Sequence, residues 1–249
     1  MALNTEKNVY TVVFATIMVI IVGSVLAFLA SALNDRIKEN ERFEKQQNIL
    51  YSMGVNENVD ESNVNFVPTD KVENEFSKYI TEQLVISGEQ ITNNDEAYLI
   101  DLKKQLAAAK AGETPQLPLF IGEKDGKKFY IIPMYGKGLW DAISGFIALD
   151  SELIVQGVYF DHKGETPGLG ANIKQRYFMD DFAGESILDG TRYAGIKVAK
   201  GNNDPLNLIK DDNEVDALAG ATITGNGVSA MIRESVHLYK DYLETIRAQ

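Results

Sequence analysis

Residues 10–33 form an almost unbroken apolar run, YTVVFATIMVIIVGSVLAFLASAL, with no charged side chain between Lys7 and Asp35. A helix that crosses the hydrocarbon core of a bilayer needs about 20 such residues, so the run predicts a membrane-spanning helix with length to spare for tilt. Ala30-Ser31-Ala32 has the small-residue form of a signal-peptide cleavage site, and a cleaved leader is the competing reading. The run exceeds a signal-peptide core, however, and the head MALNTEK carries a single basic side chain, which favours a retained anchor. The charged, helix-forming pattern NDRIKENERFEKQQNIL then predicts a short water-exposed stalk reaching residue 54.

Beyond the stalk, residues 56–65 are polar and turn-like. Val72, Phe76, Tyr79, Ile80 and Leu84 recur at helical spacing, and residues 95–111 predict a further helix ended by Gly112 and Pro115. From residue 117 the period changes. Residues 117–121 and 129–134 are short apolar runs joined by Gly122-Glu123-Lys124-Asp125-Gly126-Lys127, a hairpin signal. Residues 142–149 and 153–160 repeat the arrangement around Asp150-Ser151-Glu152. A helix over 173–182, a strand around 193–199 and a last helix marked by Val228, Met231, Ile232, Tyr239, Tyr242, Leu243 and Ile246 complete the chain. The expected fold is α+β, an antiparallel sheet with flanking helices, preceded by one N-terminal transmembrane helix. The expected division is a short tail (1–9), a transmembrane helix (10–33), a helical stalk (34–54), a mostly helical insertion (55–114) and a cofactor domain (115–249).

Composition narrows the chemistry. With 249 residues, 45% of them hydrophobic, the chain has ample material for one sizeable domain and an anchor. A formal net charge of −12 and the absence of a long Lys/Arg run argue against a nucleic-acid partner. There is no cysteine, which excludes disulfides, thiolate zinc sites and cysteine-ligated iron–sulfur clusters. With His162 and His237 as the only histidines, no metal ligands are assigned. Any redox chemistry must ride on an organic cofactor held by other groups.

The strongest chemical signal lies before the last helix, in Asp216-Ala217-Leu218-Ala219-Gly220-Ala221-Thr222-Ile223-Thr224-Gly225-Asn226-Gly227. Gly220, Gly225 and Gly227 make this backbone pliable, and a helix start offers unpaired N–H groups and a positive dipole end suited to a phosphate. The plain alternative is a hydroxyl-capped helix after a glycine turn. If the Thr224 hydroxyl caps the helix, Thr224→Ala costs no more than about 1 kcal/mol. Chemistry alone leaves Thr222 and Thr224 as equal candidates for attachment. Gly136-Lys137-Gly138-Leu139-Trp140 holds the only tryptophan, which reads either as a cover for a planar ring or as a core or rim residue. His162-Lys163-Gly164-Glu165-Thr166-Pro167-Gly168-Leu169-Gly170 is a second glycine-rich loop, whose histidine reads plainly as solvated and whose Glu165 and Thr166 suit a polar cofactor edge. No nucleophile–base–orienter series and no dinucleotide fingerprint occurs, so no catalytic residue is assigned.

Gly220-Ala221-Thr222-Ile223-Thr224 resembles the flavinylation motif of the FMN-binding domain family, found in the C subunit of the Na+-translocating NADH:quinone oxidoreductase and in the G subunit of its Rnf relatives. The other two stretches match the family's Gly-x-Gly-Leu-Trp and His-x-x-Glu-Thr-Pro-Gly-Leu-Gly segments, in the same order. Lys45-Gln46-Gln47-Asn48-Ile49-Leu50 followed by Gly54 is similar to the stalk of the oxidoreductase subunit. The resemblance implies FMN joined through its phosphate to Thr224. It places Gly220, Ala221, Thr222, Leu139, Trp140, Glu165, Thr166, Leu169 and Gly170 around the cofactor. It also implies a separate flavin transferase that makes the bond from FAD, with Asp216 in the sequence it recognises. Linkage turns a phosphate monoester of nearly two charges into a singly charged diester, which glycine N–H groups can balance.

Ala219 departs from the Ser or Thr usual before Gly-Ala-Thr, and Gly225 replaces a small hydroxyl residue, so no contact is carried onto position 219. The implied function is an electron-carrying subunit of a Na+-exporting NADH:quinone oxidoreductase, beside other flavin and iron–sulfur subunits. The implied location is the bacterial inner membrane, with the FMN domain on the outer side. Arg36, Lys38, Arg42 and Lys45 after the span would by charge counting keep that domain inside, against the family. The alternatives are an Rnf-type flavin subunit, a membrane-anchored flavin reductase and a non-redox scaffold. The insertion over roughly residues 55–112 favours the Na+-translocating oxidoreductase over the Rnf subunit.

Overall fold

The computed structural model describes residues 8–60, 63–201, 204 and 207–247. Most of the expected tail, with Lys7, and two residues of the polar 56–65 segment lie outside them. The first element is α1 (Asn8–Ser52), a 45-residue helix. Its apolar portion reaches a mean hydropathy of 2.8 and is long enough to cross a membrane. The chain divides into two compact units, Met1–Arg42 and Phe43–Gln249. The last turns of α1 belong to the second unit, and Gln46, Asn48, Ile49, Leu50, Tyr51 and Ser52 are buried there. Where the charge pattern predicts a water-exposed stalk to residue 54, the end of the helix is core. Apolar Ile49, Leu50 and Met53 fall on one face and can be buried only against another element.

After α1 come α2 (Val72–Tyr79), β1 (Ile80–Ser87), β2 (Gln90–Asn93) and α3 (Leu102–Lys110). The central strands β3 (Leu117–Lys124), β4 (Lys127–Lys137), β5 (Ala142–Leu149) and β6 (Val155–His162) follow. Among the described residues these six strands form one sheet in the order β2-β1-β3-β4-β5-β6, antiparallel at every step. The β3–β4 hairpin turns on Asp125 and Gly126, both with positive φ, which is the two-residue turn that an Asp-Gly pair favours.

The segment expected to be mostly helical over 55–114 therefore contains two strands. Val72 and Phe76 lie on α2, but Ile80 and Leu84 continue the apolar series on β1. Pairing with β3, from Ile80 opposite Gly122 to Ile86 opposite Leu117, outweighs the helical spacing. The helix expected over 95–111 is confined to a short 3-10 turn, Ala97–Leu99, and α3, whose N-cap Asp101 accepts from Lys104 N.

Both faces of the sheet are covered, which is why its strands read as continuous apolar runs. One face places Leu119, Ile121, Ile132, Met134, Ile143 and Ile147 in a core with Val228, Met231 and Ile232 of a later helix. The other places Phe120, Phe129, Ile131 and Ala148 against Ile49, Leu50, Met53, Val72 and Phe76. Across residues 170–182 the expected helix is broken into 3-10 turns around α4 (Arg176–Met179). Phe178 and Phe182 meet Phe160 of β6 with ring centroids 5.9 and 5.1 Å apart.

The expected strand at 193–199 is split. A small hairpin of β7 (Leu188–Asp189) and β8 (Arg192–Tyr193) is followed by Gly195 at φ 72°, and only then by β9 (Lys197–Ala199), which pairs in parallel with β10 (Glu214–Asp216). The last helix is likewise two: α5 (Thr222–Leu238) and α6 (Lys240–Arg247). Between them Tyr239 is buried and its hydroxyl donates to the Pro118 carbonyl at 2.6 Å.

Candidate functional site

Thr222 and Thr224 lie in the first turn of α5, but neither caps it. Ala221 occupies the N-cap position and no side chain bonds the free amides there. The Thr224 hydroxyl instead donates to Glu165 Oε2 at 2.6 Å, and both residues are buried, Thr224 at 1% exposure and Glu165 at 4%. Thr222 is exposed. The two chemically equal hydroxyls of the sequence thus have different surroundings.

Glu165 reaches α5 from the loop after β6. Its own N–H donates to His162 Nδ1 at 3.3 Å, so that histidine tethers the loop rather than standing free in water. On the far side, Trp140 N donates to Glu165 Oε1 at 2.9 Å, and the neighbouring amides of Asp141 and Leu139 add a weaker pull on the same carboxylate. Burial alone pushes the carboxyl upward. The Thr224 hydroxyl and the three amides outweigh it and hold Glu165 below its ordinary value, so the group is a carboxylate at neutral pH.

The glycines explain how three segments meet at one point. A Cβ on Gly138 would overlap Glu165 Oε1, and one on Gly170 would overlap both Glu165 Oε2 and Thr224 Oγ1. At Gly227 it would overlap the Lys137 carbonyl, and at Gly225 it would press on Val198 at 3.0 Å. Gly225 and Gly227 therefore serve close approach of α5 to β9 and to the end of β4, rather than a pliable turn. Gly220 alone of the three has a left-handed backbone, at φ 71°.

Around the buried pair lies an apolar rim. Leu139, Leu169 and Ile223 are exposed, and Trp140 is 68% exposed, which rules out a core position and leaves a rim residue or a ring cover. Trp140 also borders a cleft of about 480 Å³ walled by Leu106 and Lys110 of α3, Tyr135 and Lys137 of β4, and Gly227 and Met231 of α5. Exposed apolar and aromatic surface beside a hydroxyl and several backbone amides is a donor set that fits a planar ring carried on a phosphate. Glu165 closes over the hydroxyl oxygen itself.

A crystal structure of the C subunit of Na+-translocating NADH-quinone reductase from Parabacteroides distasonis is similar to this chain at a TM-score of 0.70 and 31% identity, covering 85% of this chain and 96% of that one. The chain belongs to the C-subunit family of the Na+-translocating NADH-quinone reductases. The C subunits from Vibrio anguillarum and Pseudomonas aeruginosa agree. They are 26% and 28% identical, each over 92% of this chain and over 90% and 91% of their own lengths. The family model described as FMN-binding domain matches residues 138–237.

That span takes in Gly138 and every residue the sequence places around the cofactor: Leu139, Trp140, Glu165, Thr166, Leu169, Gly170, Gly220, Ala221, Thr222 and Thr224. The structure brings Leu139, Trp140, Glu165, Gly170 and Thr224 together directly. Leu169 reaches Gly220, where a Cβ would stand 2.7 Å from Leu169 Cδ2. Thr166 is exposed, and its carbonyl accepts from Leu169 N and Ala171 N, so it shapes the loop through its backbone. Sequence reasoning passed over Ile223 and Asp141. Ile223 was legible as an apolar residue inside a polar motif, whereas the part played by the Asp141 amide has no side-chain signal.

Proposed function

We propose that this chain is the flavin-bearing electron-transfer subunit of a membrane NADH:quinone oxidoreductase, with FMN esterified through its phosphate to Thr224. The observation that carries this reading is the convergence of three separate glycine-rich segments on the buried Thr224–Glu165 pair, inside an FMN-binding domain match. FMN held there supplies a redox centre able to exchange one or two electrons. The chain's own residues do the rest. Thr224 is the covalent anchor, while Leu139, Trp140, Leu169 and Ile223 offer the apolar surface against which a ring is shielded from water. The amides of Leu139, Trp140 and Asp141 supply donors for negative charge.

Covalent attachment suits a domain facing the outside of the inner membrane, where a dissociated flavin is not replaced. A flavin transferase supplying the FMN, Na+ export by the assembled complex, and contact with its flavin and iron–sulfur subunits belong to the same proposal. Support comes from the names of the C-subunit relatives and from α1, which is long and apolar enough to be a single-pass anchor.

Two optical readings test it. Protein matured with the transferase is expected to give a gel band that stays fluorescent under ultraviolet light after denaturation, and Thr224→Ala a dark one. In the folded state Trp140, the only tryptophan, is expected to lose most of its emission on loading. A dark wild-type band contradicts the covalent flavin, and equal Trp140 emission from loaded and flavin-free protein places the ring elsewhere.

A further inference from the structure

Resting on the reading of Thr224 as the attachment point, we infer that the Glu165 carboxylate is an internal stand-in for the flavin phosphate: in the flavin-free chain it fills the anion cradle that the phosphodiester takes over on loading. The cradle consists of the Thr224 oxygen and the amides of Leu139, Trp140 and Asp141. Carboxylate and phosphate oxygens place the same demand on such donors, and charge-assisted bonds satisfy both. The 2.6 Å between Thr224 Oγ1 and Glu165 Oε2 is close to the separation of two oxygens on one phosphorus. Oε2 therefore takes up the space beside Thr224 Oγ1 that a phosphate joined to that oxygen would need.

There is no room for both anions. Thr224 is 1% exposed, and Gly138 and Gly170 lie so close to the carboxylate that a Cβ on either would overlap it unless Glu165 moved. Attachment forms a Thr224 Oγ–P bond and breaks the anhydride bond of a flavin dinucleotide. A nucleoside monophosphate leaves, one proton is released to water, and no oxidation state changes. That bond removes the hydrogen Thr224 gives to Glu165 and sets a phosphodiester charge against the carboxylate. A buried carboxylate that loses a donor and gains a like-charged neighbour is strongly disfavoured. Glu165 must yield, and its loop is built to let it. Lys163, Gly164, Thr166, Pro167 and Gly168 are all exposed, Gly168 sits at φ 76°, and the His162 tether is a long bond.

The test uses the full-length chain in detergent, with inorganic phosphate as the flavin-free probe. Flavin-free Glu165→Ala is expected to bind phosphate at millimolar concentration, shifting Trp140 emission and slowing hydrogen exchange over residues 138–142 at least several-fold. The wild-type chain is expected to ignore it, as is Glu165→Ala given chloride at equal ionic strength. With transferase present, Glu165→Ala and Glu165→Gln are both expected to load several-fold faster than wild type, because the competing carboxylate is gone. In loaded wild type, residues 162–167 are expected to exchange at least tenfold faster than in the flavin-free form. Should Glu165→Ala prove unfolded, the Glu165→Gln loading rate and the exchange of the loaded wild type still decide. Unchanged protection over 162–167 on loading overturns the inference, as does a folded Glu165→Ala that is blind to phosphate. So does loss of the adduct from both variants, which makes the carboxylate a requirement for the bond. A wild-type chain with no adduct on Thr224 instead removes the underlying assignment, and the phosphate titration separates the two failures.

Discussion

Replacing Thr224 by Ala deletes the hydroxyl from which Glu165 accepts and leaves a buried carboxylate one donor short. Hydrogen bonds to charged groups contribute about 1.5–3 kcal/mol. Thr224→Ala is therefore expected to lower flavin-free stability by about that amount in urea unfolding at neutral pH, beyond the roughly 1 kcal/mol of a helix cap. The sequence picks out both partners, yet their contact joins residues 59 apart and has no sequence signature. Gly138 and Gly170 were legible as loop glycines, but not as the floor beneath a carboxylate. A second carboxylate behaves oppositely. Glu185 is wholly buried, Asn207 donates to its Oε1, and its Oε2 has no partner. Burial pushes it up to about 7, with Lys210 and the Asn207 bond only partly opposing. The folded state thus holds this proton more tightly than the unfolded chain. The resulting stability is full below the ordinary glutamate value of 4.5 and is lost as pH rises through about 7. Glu185→Gln is expected to flatten that decline and to be the more stable protein at pH 8, by at most about 3 kcal/mol. Equal pH profiles for the two proteins contradict the assignment.

Among the elements, the strands around the two hairpin signals were readable because turn chemistry and apolar runs agree at Asp125-Gly126 and at Asp150, whose side chain accepts from Glu152 N and Ile154 N. β1 was not readable. Its Ile80 and Leu84 continue the helical series of α2, and only pairing with β3 reveals the strand. The end of α1 misleads in the same way, since the charges around Arg42 and Lys45 mask a buried face at Ile49 and Leu50. That face makes a prediction about truncation. A chain beginning at Asp35 is expected to fold compactly, and one beginning at Gly54 to aggregate, because it lacks Ile49, Leu50, Tyr51 and Met53 from the two cores. Size-exclusion chromatography and thermal unfolding compare them, and equal behaviour would return those residues to a solvated stalk. Leu50→Ala in the longer chain is expected to lose about 2–5 kcal/mol.

At the scale of the whole molecule, the proposed function assigns membrane attachment to a helix long and apolar enough to span a bilayer, and cofactor binding to the globular unit. The long apolar helix and the α+β class followed from composition and periodicity, because both rest on many residues acting alike. What distinguishes the Thr222 and Thr224 hydroxyls is the surroundings of a single atom, and no average over the sequence holds that. Removing residues 1–34 is accordingly expected to release the protein from the membrane fraction while it still accepts flavin. If the shortened chain stays with the membrane, attachment does not reside in α1 alone. The most direct test of the central claim is mass spectrometry of the tryptic peptide spanning residues 211–233, which contains both Thr222 and Thr224 and no internal Lys or Arg. From protein matured with the flavin transferase, this peptide is expected to carry one FMN, joined with the loss of water, and the fragment ions to place it on Thr224. An adduct on Thr222, or one that persists in Thr224→Ala, would contradict the account.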